Sequence, residues 1–262
     1  MTFRDSPWPE GTPCWVEVRV AEPVRTSTFY AALFGWTFFD HGAEYDHYLT
    51  ARLDGRAVAD IGPRPATEAA DAPPAWLVCF AARSVDAVAA KIVDAGGKVL
   101  LPPDDVGTHG RFAVAADPAG AEFAVWQAYA YPGAEVTGVA GATVWHHCAS
   151  QDVEASLAFY AEVFGHTVTR SPAGQGAGCT TLDLDGRPVA SVGEPSPGSG
   201  HAAPSRWEVT FGVGDLAAAL TQVTELGGAT LDGPFETSHG MCARVTDAQG
   251  TAFDLLEVSA DG

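Results

Sequence analysis

Ser27-Thr28-Phe29-Tyr30-Ala31-Ala32-Leu33-Phe34-Gly35 returns about 130 residues later as Leu157-Ala158-Phe159-Tyr160-Ala161-Glu162-Val163-Phe164-Gly165. In both copies the large apolar residues recur three to five apart, so they share one helix face, and the glycine stops the helix. The likeness extends outward from there. Leu53-Asp54-Gly55-Arg56 returns as Leu184-Asp185-Gly186-Arg187, and Ala95-Gly96-Gly97 as Leu226-Gly227-Gly228. Asp117-Pro118-Ala119-Gly120 returns as Asp247-Ala248-Gln249-Gly250. A period this long marks a duplicated domain rather than a solenoid unit. Positions where the copies agree read as framework, and positions where they differ are candidates for function.

Each half divides once more. Residues 13–20 alternate like a half-buried strand, with Cys14, Val16, Val18 and Val20 on one face and Trp15, Glu17 and Arg19 on the other. A helix over Val24 to Phe34 follows, then strands near 36–40, 46–53 and 57–61, the last two joined by the Asp54-Gly55 turn. After a Pro/Ala-rich connector at 63–74 the order restarts, with strand 76–82, helix 84–95 and strands near 98–101, 111–116 and 121–127. The second half repeats it at 143–149, 153–164, 166–170, 179–184 and 188–192. After a connector at 194–205 come 207–213, 215–226, 229–231, 242–247 and 251–258. The expected architecture is α+β, four βαβββ units forming two tandem modules with cup-shaped mixed sheets. The modules span 11–128 and 143–258, with a linker at 129–142. The aliphatic faces should pack on the helices, which turns the mixed faces toward a cavity. Gly174-Gln175-Gly176-Ala177-Gly178 reads as a flexible hairpin, and Pro195-Ser196-Pro197-Gly198-Ser199-Gly200 as a mobile connector.

Composition narrows the function classes. Fourteen Lys and Arg against thirty-three Asp and Glu give a net charge of −19. A nucleic-acid or anionic-membrane surface needs clustered basic residues, so neither partner is expected. The longest apolar runs are too short to cross a membrane, and the first ten residues lack a signal-peptide core, so a cytoplasmic protein is expected. The five cysteines are odd in number and have no CxxC spacing, which suggests reduced, buried thiols. No serine nucleophile elbow, P-loop or dinucleotide-binding glycine motif is present, so no nucleotide cofactor is expected.

The Phe-Tyr and Phe-Gly helix followed by Asp-x-x-Gly before a last strand resembles the vicinal oxygen chelate superfamily. That superfamily groups glyoxalases, bleomycin-resistance proteins and extradiol dioxygenases. Gly11-Thr12-Pro13-Cys14-Trp15-Val16-Glu17 ahead of a tandem module further resembles two-module actinobacterial proteins labelled hydroxylases, some from aromatic polyketide pathways. The resemblance implies a divalent metal held seven residues before a helix start and in the last strand of a unit. With helix starts at Glu22, Ser84, Asp152 and Asp215, those places hold Trp15, Leu77 and Ala124 in the first module. In the second they hold Trp145, Glu208 and Asp254, with His147 on the same face. None of the first set can ligate a metal. His147, Glu208 and Asp254 form the expected metal set, for iron, manganese or zinc, with the absence of a metal the favoured alternative.

The catalytic candidates are therefore Glu17, His147, Glu208 and Asp254. Inward carboxylates can share protons as well as bind metal, while ion pairs of Glu17 with Arg19, and of Glu208 with Arg206 or Arg244, are the structural alternatives. Trp15, Trp126, Trp145 and Arg19 are the substrate-binding candidates, because tryptophans on a cup face stack on planar ligands. Trp76 and Trp207 are repeat equivalents assigned to the core, as is His146. His109 and His239 share one repeat position and read as rim residues, while His41 and His47 show no partner spacing. The expected function is conversion of a small, partly aromatic metabolite, by polyketide tailoring or on a reactive carbonyl, with the site in the second module. The alternative is a binding protein without chemistry. The expected assembly is a monomer or homodimer.

Overall fold

The computed structural model describes residues 2–65, 73–170, 180–195, 204–237 and 239–259. The first module comprises β2 (Pro13–Val20), α1 (Pro23–Phe34), β3 (Thr37–Asp40), β4 (Leu49–Leu53), β5 (Arg56–Pro63), β6 (Trp76–Ala81), α2 (Val85–Asp94), β7 (Lys98–Val106), β8 (Gly110–Ala116) and β9 (Glu122–Ala128). The second comprises β11 (Thr143–Ala149), α3 (Val153–Phe164), β12 (Thr167–Arg170), β13 (Thr180–Leu184), β14 (Arg187–Gly193), β15 (Arg206–Val213), α4 (Leu216–Glu225), β16 (Ala229–Thr237), β17 (Gly240–Thr246) and β18 (Ala252–Glu257). The short strands β1 (Thr2–Phe3) and β10 (Val136–Thr137), absent from the sequence-based expectation, pair with each other.

Each module builds one eight-stranded mixed sheet from its own strands. The orders are β3-β4-β5-β2-β6-β9-β8-β7 and β12-β13-β14-β11-β15-β18-β17-β16. The two units of a module meet at the antiparallel pairs β2–β6 and β11–β15. The expected α+β architecture of four units in two modules is therefore observed. The glycine-rich hairpin expected at 174–178 and most of the connector expected at 195–200 lie outside the described residues.

The helices start where the sequence places them, at Glu22, Ser84, Asp152 and Asp215. The Ser84, Asp152 and Asp215 side chains accept from the backbone N–H three residues on, satisfying a donor that a helix start leaves open. Gly35 and Gly165 end α1 and α3 in the left-handed conformation. Strands β7 and β16 run well past their expected ends. Their prolines suggest loops, but both are edge strands with register shifts at Leu101/Asp104 and Asp232/Phe235, where a missing N–H costs little.

One core serves both modules. Phe80 stacks on Phe164 at 4.9 Å, and Phe34 meets Phe211 at 5.2 Å across the module boundary. The repeated Asp-x-x-Gly turn has a second use here. Asp117 Oδ1 accepts from Ala121 N within its own turn, and its Oδ2 accepts from the Ser156 hydroxyl on α3 at 2.7 Å. Asp247 closes the matching turn and accepts from Tyr30 on α1. Each module's signature aspartate thus holds the other module's first helix. Trp76 and Trp207 are core as expected, their indoles donating to Tyr30 and Tyr160 hydroxyls. Cys14, Cys79, Cys148 and Cys242 are buried free thiols. No helix among the described residues is long and apolar enough to cross a membrane.

Candidate functional site in the first cup

A cavity of about 550 Å³ opens in the first module. Its lining comes from β2, β4, β5, β6, β7, β8 and β9, so the sheet must curl around it. Trp15, Glu17 and Arg19 alternate along β2 and therefore share the cavity face, as their spacing predicts. Cys14 departs from the alternation. The register shifts between Pro13 and Trp15, and Cys14 packs with Trp15, Cys79 and Ala134 rather than with Val16. The same shift recurs between Thr143 and Trp145 in the second module.

Asp60, on β5 opposite Glu17, organises this cavity. The Thr50 hydroxyl donates to its Oδ1 at 2.7 Å, and the Trp15 indole donates to its Oδ2 at 3.2 Å. Burial pushes the Asp60 carboxyl up to about 7 against the Thr50 bond, with Glu17 adding to the rise and Trp15 and Arg52 opposing it. His41 Nε2 lies 2.9 Å from Thr50 Oγ1. While Asp60 is ionised it takes the Thr50 proton, and Nε2 is then the donor in this pair. The chain Trp15–Asp60–Thr50–His41 thus connects the cavity to its rim.

At the rim His109 stacks on Tyr45 at 5.1 Å, and His41 meets His109 at 5.4 Å. His41, for which the sequence offers no partner, therefore has one from the other unit of its module, and His109 is the rim residue its Gly-flanked position suggests. Burial lowers the His41 pKa, and His109 and Arg52 lower it further. Tyr131, from the segment expected to be only a linker, completes the wall. Its ring meets Trp15 edge-on at 5.3 Å, its carbonyl accepts from Trp126, and its hydroxyl is buried near Thr50. Ala134 N bonds Cys14 O and Glu135 N bonds Ala57 O, anchoring that segment across the cup. Gly62 lets Tyr48 lie against β5, since a Cβ there would sit 2.2 Å from the Tyr48 ring.

The second cup holds the other predicted residues. His147 pairs with Ser191 in register as Glu17 pairs with Asp60, so Ser191 replaces Asp60. The Trp145 indole donates to Ser191 at 2.8 Å, repeating the Trp15–Asp60 contact, and His147 Nδ1 lies 2.9 Å from the same hydroxyl. Glu208 Oε1 is held by Arg206 and Arg244, each at 2.6 Å, with the carboxylate side chain 5% exposed. Burial pushes Asp254 up to about 7, aided by Glu208 and opposed by Arg244 and Arg206. Burial lowers the His147 pKa and sets His146 at about 4. The repeat-equivalent rim histidine, His239, stacks on Trp145 at 6.4 Å.

Two similarities fix the family. Residues 14–125 match the Glyoxalase/Bleomycin resistance protein/Dioxygenase superfamily, and residues 145–256 match a glyoxalase-like domain. The chain is also 33% identical over 256 residues to CFP32 of Mycobacterium tuberculosis, whose name places it provisionally among the glyoxylases, covering 96% of this chain and 97% of that protein. The chain belongs to the glyoxalase/bleomycin resistance protein/dioxygenase superfamily. The anthracycline biosynthesis protein DnrV of Streptomyces peucetius is 34% identical over 265 residues, covering 95% of this chain and 94% of that one. In fold, the chain matches the Mn(II)-bound glyoxalase from Novosphingobium aromaticivorans with a TM-score of 0.66, at 17% identity, covering 97% of this chain and 85% of that one.

The residues present do not fit a metal of the kind this superfamily resemblance implies. Trp15, Leu77 and Ala124 offer the first cup no ligating atom, and Leu77 and Ala124 belong to an apolar cluster. The expected set His147, Glu208 and Asp254 does not come together as a ligand group, and Glu208 is neutralised by two guanidinium groups. Among the described residues no three His, Cys, Asp or Glu come together as a ligand group. Of the predicted site residues, Trp15, Glu17, Arg19 and Trp126 line the cavity. Trp145, His147, Glu208 and Asp254 lie outside it. Asp60, Thr50, Tyr48 and Tyr131 escaped sequence reasoning. The duplication carried one signal for Asp60, a carboxylate in one copy where the other has Ser191.

Proposed function

We propose that the first cup is the working site, and that it converts a small, partly aromatic metabolite by proton transfer at a carbonyl or enolisable carbon. Polyketide tailoring and reactive-carbonyl conversion are the reaction classes in view. The observation that carries this reading is Asp60, a carboxyl with a pKa of about 7 opening into an aromatic-walled cavity. At neutral pH such a group is present in both forms, which suits a general acid and base. Trp15 and Trp126 supply surfaces for a ring, Thr50 and Trp15 fix the carboxylate, and His41 lies on the route between it and the rim. The relatedness to an anthracycline biosynthesis protein supports a polycyclic aromatic substrate.

The test is incubation with aromatic polyketides and 2-oxoaldehydes in D2O, followed by mass spectrometry. The expected result is solvent deuterium in product or recovered substrate, reduced about 10²–10⁴-fold by Asp60→Asn, the range for loss of a general acid–base group. Deuterium uptake unchanged by Asp60→Asn removes Asp60 from the reaction. A second reading, ligand sequestration without chemistry, is favoured by the apolar residues at the ligand positions. It predicts saturable quenching of tryptophan fluorescence with neither isotope uptake nor product.

A further inference from the structure

We propose that the ligand of the first cup is a planar molecule carrying a protonated amine. The inference rests on the first cup being a small-molecule site, but not on Asp60 performing chemistry. The aromatic wall is formed by Trp15, Trp126, Tyr48, Tyr45, Phe112 and Tyr131, the surface a ring prefers. The charges in that wall are unbalanced. Among the described residues, five carboxyl groups line the cavity, Glu17, Glu44, Asp46, Asp60 and Asp105, against one guanidinium, Arg19. Arg19 lies 3.9 Å from Glu17, and Asp105 is committed to Arg111 at 3.2 Å. Glu44 and Asp46 have no cation within ion-pair distance among the described residues, and both stand at the mouth on the turn that carries Tyr45.

An anionic ligand would have to pass Glu44 and Asp46 and then sit beside Asp60. A cation gains at each of these steps, because a low-dielectric cleft lined by one sign of charge concentrates the opposite sign. It also gains from the aromatic faces, whose electron density attracts a cation held over the ring.

Binding should move a proton. The groups facing Asp60 are Trp15 and Glu17 on β2, Thr50 and Arg52 on β4, Cys79 on β6, and Tyr48 and Tyr131 at the rim. A bound ammonium favours the ionised carboxyl, so near neutral pH it should expel the proton that Asp60 holds. A neutral ring has no such effect.

Isothermal titration with three probes of one shape tests this: 2-(1-naphthyl)ethylamine, 2-(1-naphthyl)ethanol and 1-naphthylacetate, at pH 7 in two buffers of different ionisation heat. The amine is expected to bind at least about tenfold tighter than the alcohol, a difference of about 1.4 kcal/mol. The acetate should bind weakest, and only the amine should release a proton. Asp60→Asn, which cannot hold or lose that proton, should abolish the release. The double variant Glu44→Gln/Asp46→Asn, on an exposed turn that asparagine tolerates at Asp46, should weaken the amine alone. Equal binding of amine and alcohol, tighter binding of the acetate, or failure of the amine to bind at millimolar concentration overturns the proposal. Equal binding of amine and alcohol would leave the aromatic small-molecule site standing and remove only its charge preference.

Discussion

The two cups are copies of one sheet that solved the burial of polar groups in opposite ways. At the positions where the second cup has Glu208, Arg244 and Asp254, the first has Leu77, Val114 and Ala124. The second cup places Glu208 at its centre between the guanidinium groups of Arg206 and Arg244. The first makes its centre apolar and moves its carboxylate to the wall at Asp60, where the second has only Ser191. A network that satisfies itself has little left for a ligand. An incompletely neutralised carboxylate beside open space does. The difference teaches that inward-facing ionisable residues are not a sufficient sign of a site, because what matters is whether their partners are already in the protein.

The largest effect should come from removing the centre of the charge network. Glu208→Ala leaves Arg206 and Arg244 facing each other in a largely buried setting, which should cost about 3–5 kcal/mol in urea unfolding. Replacing Arg206, Glu208 and Arg244 together by the first cup's Ala, Leu and Val should cost less, because no guanidinium is left uncompensated and Asp254, already raised to about 7, can take up a proton. If the single and triple variants unfold alike, the unpaired guanidinium groups are not what destabilises Glu208→Ala.

Next in size is a pH effect shared by both cups. Asp60 and Asp254 have folded-state pKa values raised from 3.8 to about 7. Between those values the folded protein holds protons that the unfolded chain has lost, so stability falls as pH rises through that window. Asp60→Asn removes the penalty at its site. Its melting temperature relative to wild type should be a few degrees higher at pH 8 than at pH 5, corresponding to about 1–3 kcal/mol after allowing for solvent reaching the cavity. A constant difference across pH would place the Asp60 pKa near its ordinary value.

Gly62→Ala and Gly193→Ala compare the cups sterically. The first substitution puts a Cβ at 2.2 Å from the Tyr48 ring, the second at 3.0 Å from His147. The first should cost about 1–3 kcal/mol and displace Tyr48 from the cavity wall, visible as altered probe affinity, while the second should cost less. The smallest effect is expected for Thr50→Val, which removes one hydrogen bond to the Asp60 carboxylate at a cost of about 1 kcal/mol. Carbon-13 NMR titration should then find the Asp60 pKa higher than in wild type, since that bond favours the ionised form. Thr50→Ser should restore it.

Much of this molecule is legible in one dimension. Helix starts and stops depend on capping chemistry within a few residues, so Ser84, Asp152 and Asp215, and Gly35 and Gly165, mark them without tertiary information. The alternation along β2 placed Trp15, Glu17 and Arg19 on the cavity face for the same reason. Longer-range features were less legible. Cys14 left its expected face because one bulge reverses the alternation. Tyr131 lies in a segment with no periodic pattern, and its place in the wall depends on hydrogen bonds from residues 134 and 135 back to β2 and β5.

The sequence alone determined the duplication, the four units and the lack of a ligating side chain at Trp15, Leu77 and Ala124. All of these are set by local chemistry or by comparing the copies. Only the tertiary structure decided which charges are paired and which carboxyl stands in the wall of a cavity. That depends on Arg206 and Arg244 both reaching one oxygen of Glu208, on Thr50 and Trp15 converging on Asp60, and on His41 finding His109. Charge pairing acts over a few ångströms in space, and chain position does not say which charges will be that close. The second module kept the carboxylates expected to mark a site and then neutralised Glu208. The first, without those ligands, has a cavity of about 550 Å³ with Asp60 in its wall.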